Sequence, residues 1–325
     1  MIEIKGLSRH FGSIKAVDKI SFEIAPGEIV GFLGPNGAGK TTTMRMMVGY
    51  LQPTEGEILI DGESIFFDPI KTSHNIGYLP ENNPLYNDLS VYEFLKFVSA
   101  LRGMTEETFA QRLEFVGQNC GLKAVMHQKI GTLSKGYRQR TGLAQAILHD
   151  PKILILDEPT SGLDPNQIIE IRDLIRELGR EKTLILSSHI MQEVQALCDR
   201  IIIISNGVIV ANAAQDELVR QLDKDQEIRL VFEAESPLEE DLLAAVPDLK
   251  LIMREDNGNQ HCWICAAPGE RDVHRELAQY AQKNSWLILE MSSQKKSLED
   301  VFVNLTKVEP DGPAMEVSEE EGGDQ

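Results

Sequence analysis

Basic residues are in short supply in this 325-residue chain: 32 Lys and Arg stand against 51 Asp and Glu, a formal net charge of −19. Gripping a phosphate backbone needs basic surface, so a nucleic-acid partner is not expected. The same deficit argues against electrostatic adhesion to anionic lipid. Cysteine is sparse as well. Cys120, Cys198, Cys262 and Cys265 are the whole complement, which fits reduced thiols in a cytoplasmic protein. Cys262 and Cys265 form a C-x-x-C, but redox or zinc use needs a helix start after the first Cys or a second ligand pair. Neither is visible, and residues 260–267 read as a strand that sends the two thiols to opposite faces. Long apolar runs are missing too. No stretch of about 18 apolar residues occurs, so nothing here is expected to span a bilayer. Met1-Ile2-Glu3-Ile4-Lys5 reads as a short alternating strand without the apolar core of an export signal.

What is present is an ordinary globular balance, 42% hydrophobic and 26% charged, in a chain long enough for two domains. Short apolar runs at residues 29–33, 76–79, 153–156 and 183–186 suit strands of a parallel sheet buried on both faces. Residues 56–68 read as a small β excursion around Asp61-Gly62. From about 85 to 150 the pattern turns helical, with Val91, Phe94, Leu95 and Val98 at helical spacing. Residues 167–179 read as a helix between two strands. Composition changes near 215–225, and from 226 to 307 the expected order is strand, helix, strand, strand, helix, strand, as in a small ferredoxin-like α+β domain. The end of the chain, 308–325, carries seven acidic residues and no Lys or Arg, and reads as a solvated, disordered tail.

Three patterns carry chemistry. Gly34-Pro35-Asn36-Gly37-Ala38-Gly39-Lys40-Thr41 fits the phosphate-loop pattern, between a strand and a helix that begins with Thr42. Its glycines let backbone N–H groups close around phosphate oxygens at a helix N-terminus. Lys40 would reach the β- and γ-phosphates, and the Thr41 hydroxyl would ligate Mg²⁺. Second, the apolar run at 153–156 ends in Asp157-Glu158. Asp157 would hold Mg²⁺ through its water shell, and Glu158 would accept a proton from attacking water. Third, Leu133-Ser134-Lys135-Gly136 precedes a helical run, where a hydroxyl, free amides and the dipole can meet a phosphate.

These motifs, followed by Ser161-Gly162-Leu163-Asp164 and Ser188-His189, resemble those of ABC ATPases in order and spacing over about residues 1–220. The resemblance implies a P-loop NTPase cassette of α/β class with a helical subdomain, binding ATP and Mg²⁺. It implies that Ser134 and Gly136 are signature residues, that Asp164 lies in the D-loop, and that His189 contacts the γ-phosphate and orients water. It implies that Phe11 stacks on adenine, beside the nucleotide-binding residues 34–42. Two departures stand out. The signature reads Ser-Lys-Gly-Tyr where Ser-Gly-Gly-Gln is usual, and Glu81, a candidate metal ligand, stands where Gln is usual. Both departures, with Leu79-Pro80-Glu81-Asn82-Asn83-Pro84-Leu85-Tyr86, look like the ABC-2 type exporter ATPases, including the gliding-motility branch. The segment 297–306 resembles the usual ending of that subfamily.

The resemblance further implies head-to-tail pairing with a second copy or a paralogous cassette, and docking on an integral-membrane permease at the inner face of the cell membrane. The alternative is a non-transport ABC ATPase, a regulatory, translation or repair factor. One cassette, no sustained heptads and strong acidity favour the transport motor.

Overall fold

The structure, a computed structural model, describes residues 1–222, 225–235, 237–268 and 272–294, together with Glu299, Phe302, Val303 and Thr306. The acidic tail 308–325 lies outside the described residues, as does most of 297–306.

The chain opens with β1 (Ile2–Phe11), β2 (Ile14–Ile24), β3 (Ile29–Leu33), α1 (Lys40–Met47), β4 (Glu55–Ile60), β5 (Glu63–Ser64), α2 (Pro69–Asn75) and β6 (Ile76–Leu79). Three α-helices follow: α3 (Val91–Leu101), α4 (Glu106–Asn119) and α5 (Lys135–Ile147). Alternation then resumes as β7 (Ile153–Asp157), α6 (Pro165–Gly179), β8 (Thr183–Ser188), α7 (Met191–Leu197), β9 (Arg200–Ser205), β10 (Val208–Ala214) and α8 (Gln215–Leu222). The last part holds β11 (Asp225–Glu233), α9 (Glu239–Ala245), β12 (Lys250–Asn257), β13 (Gln260–Pro268), α10 (Val273–Lys283) and β14 (Leu287–Gln294).

The central sheet has the order β10-β9-β3-β8-β7-β6, parallel throughout except for the antiparallel edge strand β10. Every residue of β3, β7 and β8 is buried. This is the expected consequence of parallel strands covered on both faces. Successive side chains enter two different cores. Leu154 and Leu156 join α3, α5, α6 and α7 on one face. Ile153 and Ile155 join α1 and the antiparallel sheet β2-β1-β4-β5 on the other. The carboxyl ends of β3, β6, β7 and β8 open onto one crevice, where ligands of open α/β sheets bind.

The helical excursion starts cleanly because Ser90 and Glu93 cap it reciprocally. The Ser90 hydroxyl accepts from the Glu93 N–H at 3.2 Å, and Glu93 Oε2 accepts from the Ser90 N–H at 2.8 Å. Val91, Phe94, Leu95 and Val98 then bury one face of α3.

The third sheet, β12-β13-β11-β14, is antiparallel throughout, with α9 and α10 as crossovers. That is the split βαβ order of a ferredoxin-like fold. Trp263, Phe232, Leu230 and Leu277 fill its own core. Along β13 burial alternates, so Cys265 faces that core and Cys262 faces away.

Candidate functional site

Between β3 and α1 the chain folds into a cradle. Gly37 and Gly39 have φ of 81° and 107°, backbone that L side chains rarely adopt. At Gly39 a Cβ would also lie 2.5 Å from the Ala16 carbonyl oxygen. At Gly34 it would lie 2.4 Å from that of Ile204. The loop is thus held against β2 and β9 by close backbone approach that only glycine permits.

Lys40 is the first residue of α1 and only 7% exposed. Its ammonium donates to the Gly34 carbonyl at 2.7 Å and the Pro35 carbonyl at 3.2 Å, and lies 3.8 Å from Glu158 Oε1. Burial pulls the Lys40 pKa down, against the raising pull of Glu158, Asp157 and Glu81.

Glu158 follows β7 with φ of 50°, a costly conformation for a residue with a Cβ. Its N–H donates to Ser187 Oγ at 3.0 Å, and that hydroxyl donates to Asp157 Oδ1 at 2.5 Å. Ser187 therefore ties the ends of β7 and β8 together and fixes both carboxylates. Glu158 Oε2 sits 2.9 Å from His189 Nδ1. Burial is the largest influence on Glu158 and leaves its pKa raised, although His189 and Lys40 pull it down. Below it, Asp157 is fully buried with Oδ2 lacking any hydrogen-bond partner among the described residues. An unmet carboxylate oxygen is costly unless something fills its place. Burial and the nearby Asp157 also push the Tyr78 phenol up to about 12. On the far side, Glu193 accepts from Thr160 Oγ1 at 2.6 Å and Ser188 Oγ at 2.8 Å, bracing the two segments that carry Glu158 and His189.

A cavity of about 370 Å³ lies over these groups, lined by Asn36, Gly37, Gly39, Lys40, Thr41, Thr42, Glu81, Glu158 and His189, with Ala16 and Ser161. An ABC transporter family model matches residues 17–161. A protein of Bacillus subtilis strain 168, called the uncharacterized ABC transporter ATP-binding protein YhcH, is 40% identical over 309 residues, covering 94% of this chain and 96% of that one. The chain belongs to the ABC transporter ATP-binding family.

The bacitracin transport ATP-binding protein BcrA of Bacillus licheniformis is 33% identical over 313 residues, covering 94% and 97% of the two chains. A solved dimeric bacterial ABC transporter cassette matches with a TM-score of 0.62 at 25% identity, covering 66% of this chain and 98% of that one. Members of this family hydrolyse ATP, and this ABC ATPase is an ATP hydrolase.

Not all of the residues singled out in the sequence meet at the cavity of this ABC ATPase. Residues 36, 37 and 39–42, with Glu81, Glu158 and His189, line it. Gly34, Pro35, Ala38 and Asp157 are not among the lining residues. Phe11 lies off the cavity, 46% exposed, with the Arg9 guanidinium 4.7 Å from its ring centroid. Ser134 caps α5, accepting from the Tyr137 N–H at 3.4 Å, and Asp164 caps α6, accepting from the Gln167 N–H at 3.0 Å. Gly136 packs against the Gln167 side chain. These three stand away from the chain's own cavity. Ala16, Ser187 and Glu193 contribute to the site without any local sequence signal. Oxygen donors from Asp157, Thr41 and Glu81 are the set that suits Mg²⁺, and the orphaned Asp157 Oδ2 fits such a role.

Proposed function

We propose that this chain is the ATPase subunit of an ABC-2 type membrane exporter, acting through a separate integral-membrane permease and pairing head to tail with a second cassette. Support comes from relatives named for bacitracin transport and linearmycin resistance, and from the Ser-Lys-Gly-Tyr and Leu-Pro-Glu departures at 134–137 and 79–81. Among the described residues no helix is long and apolar enough to cross a membrane. The domain division follows: a cassette over 1–220 with a helical part at about 85–150, and a small domain over 226–307.

In this reading the loop 34–42 cradles the phosphates of ATP and Phe11 stacks on its adenine. Thr41, Asp157 and Glu81 would hold Mg²⁺, which supplies positive charge against the β- and γ-phosphate oxygens. Lys40 leaves its own loop carbonyls for the β- and γ-phosphates. Glu158 takes the proton of the attacking water, and His189 holds the Glu158 carboxylate in place and contacts the γ-phosphate. Ser134 and Gly136, which do not line the chain's own cavity, serve the nucleotide of the paired cassette, and Asp164 lies beside that contact.

One observation carries the reading: the Glu158 carboxylate is held between Lys40 and His189, lining the same cavity that the phosphate loop lines. Purification of the tagged chain from detergent-solubilised membranes of its source tests the transport assignment. The expected result is an integral-membrane protein retained with it in fixed proportion, whose presence raises phosphate release. Recovery only from the soluble fraction, with ATPase activity indifferent to membranes, contradicts the assignment.

A further inference from the structure

A second cavity, of about 440 Å³, lies in the C-terminal module, between the segment after β11 and the end of α10. Its size falls in the range of small-molecule pockets, and nothing in ATP hydrolysis uses it. Its chemistry is one-sided. Glu235 and Asp241 both line it, and no Lys, Arg or His does. Neither carboxylate has an ion-pair partner among the described residues.

Asp241 lies in the first turn of α9, where acids offset the helix dipole. Glu239 and Glu240 stand in the same turn, so three carboxylates face a helix end worth only about half a positive charge. Asn284, just past the C-terminal end of α10, also lines it, with Lys283 already in the last turn of that helix. Apart from Ser285, the remaining walls are apolar or aromatic, with Leu238, Tyr280 and Trp286 the largest side chains. Tyr280 and Trp286 are fixed edge to face with centroids 5.1 Å apart, and Trp286 is stacked on Phe232 at 4.2 Å. Such rings give a rigid surface for an apolar body and an attractive one for an organic cation.

We propose that this cavity binds a small organic cation, its ammonium head against Glu235 and Asp241 and its apolar body against Leu238, Tyr280 and Trp286.

Both tryptophans of the chain, Trp263 and Trp286, lie in this module, so intrinsic fluorescence of the full chain reports on it directly. The test titrates benzyltrimethylammonium, with benzyl alcohol and benzoate as neutral and anionic probes of similar body. The expected result is a saturable change with the cation alone, weakened at least tenfold in the double variant Glu235→Gln, Asp241→Asn. Both side chains are exposed, so the variant should fold, and an unchanged circular dichroism spectrum checks that. No saturable response to the cation, an equal response to benzoate or benzyl alcohol, or an unchanged affinity in the folded double variant overturns the proposal.

Discussion

Glu158 is held at φ 50° while its carboxylate is buried between a lysine and a histidine. Burial favours the neutral acid, whereas a proton acceptor must be ionised. The raised pKa therefore places the acid limb of kcat/KM above the ordinary carboxylate value of about 4.3. The His189 contact opposes that rise. Replacing His189 with Ala removes a lowering influence, so the acid limb should move to higher pH while the overall rate falls. A pH profile of phosphate release for wild type and His189→Ala checks both the position and the direction. An unmoved limb would mean that Glu158 is not the group being titrated.

Elements differ in how far neighbouring residues determine them. At the start of α3 the Ser90–Glu93 box satisfies N–H groups that have no helical partner. Ser90→Ala should cost about 1 kcal/mol, seen as a lower midpoint in urea with an unchanged slope. A loss within error would show that the turn is held by packing alone. The same locality explains what was legible in advance. The phosphate loop is readable because glycine, lysine and threonine at fixed offsets build it from adjacent residues. Val91, Phe94, Leu95 and Val98 announce α3 because its buried face repeats with the helix.

Other parts have no local signature. Ser187 clamps Asp157 and Glu158 from 30 and 29 residues away, a pairing that exists only once β7 and β8 lie side by side. Ala16 reaches the cavity through the fold of β2, not through any motif. Strand β9 carries no motif, although Ile201 to Ile204 form a β-branched run suited to a buried strand. Phe11 differs again: only the family resemblance marks it for adenine stacking, and its ring is exposed beside Arg9.

At the scale of the whole molecule, the central sheet brings the carboxyl ends of β3, β6, β7 and β8 to one crevice. The phosphate loop, Glu81, Glu158 and His189 gather there, from segments more than 100 residues apart. Ser134, Gly136 and Asp164 do not join them. They sit at the starts of α5 and α6, Ser134 and Asp164 exposed and Gly136 buried against Gln167, where helix N-termini favour anions. That separation is what the proposed head-to-tail pairing with a second cassette requires. The ferredoxin-like module has its own core, with Phe232, Trp263 and Trp286 packed ring on ring. That is the arrangement of an added unit rather than a completion of the nucleotide site.

The shared site is tested most directly by measuring the mass of the Glu158→Gln variant in solution with Mg²⁺ and saturating ATP. Removing the proton acceptor slows hydrolysis by on the order of 10²–10⁴ while leaving the phosphate cradle intact, so nucleotide stays bound. Light scattering coupled to size exclusion should then give twice the 36.3 kDa of one chain, reverting to one chain with ADP. A variant that binds ATP yet remains at 36.3 kDa would contradict a site completed by a second cassette.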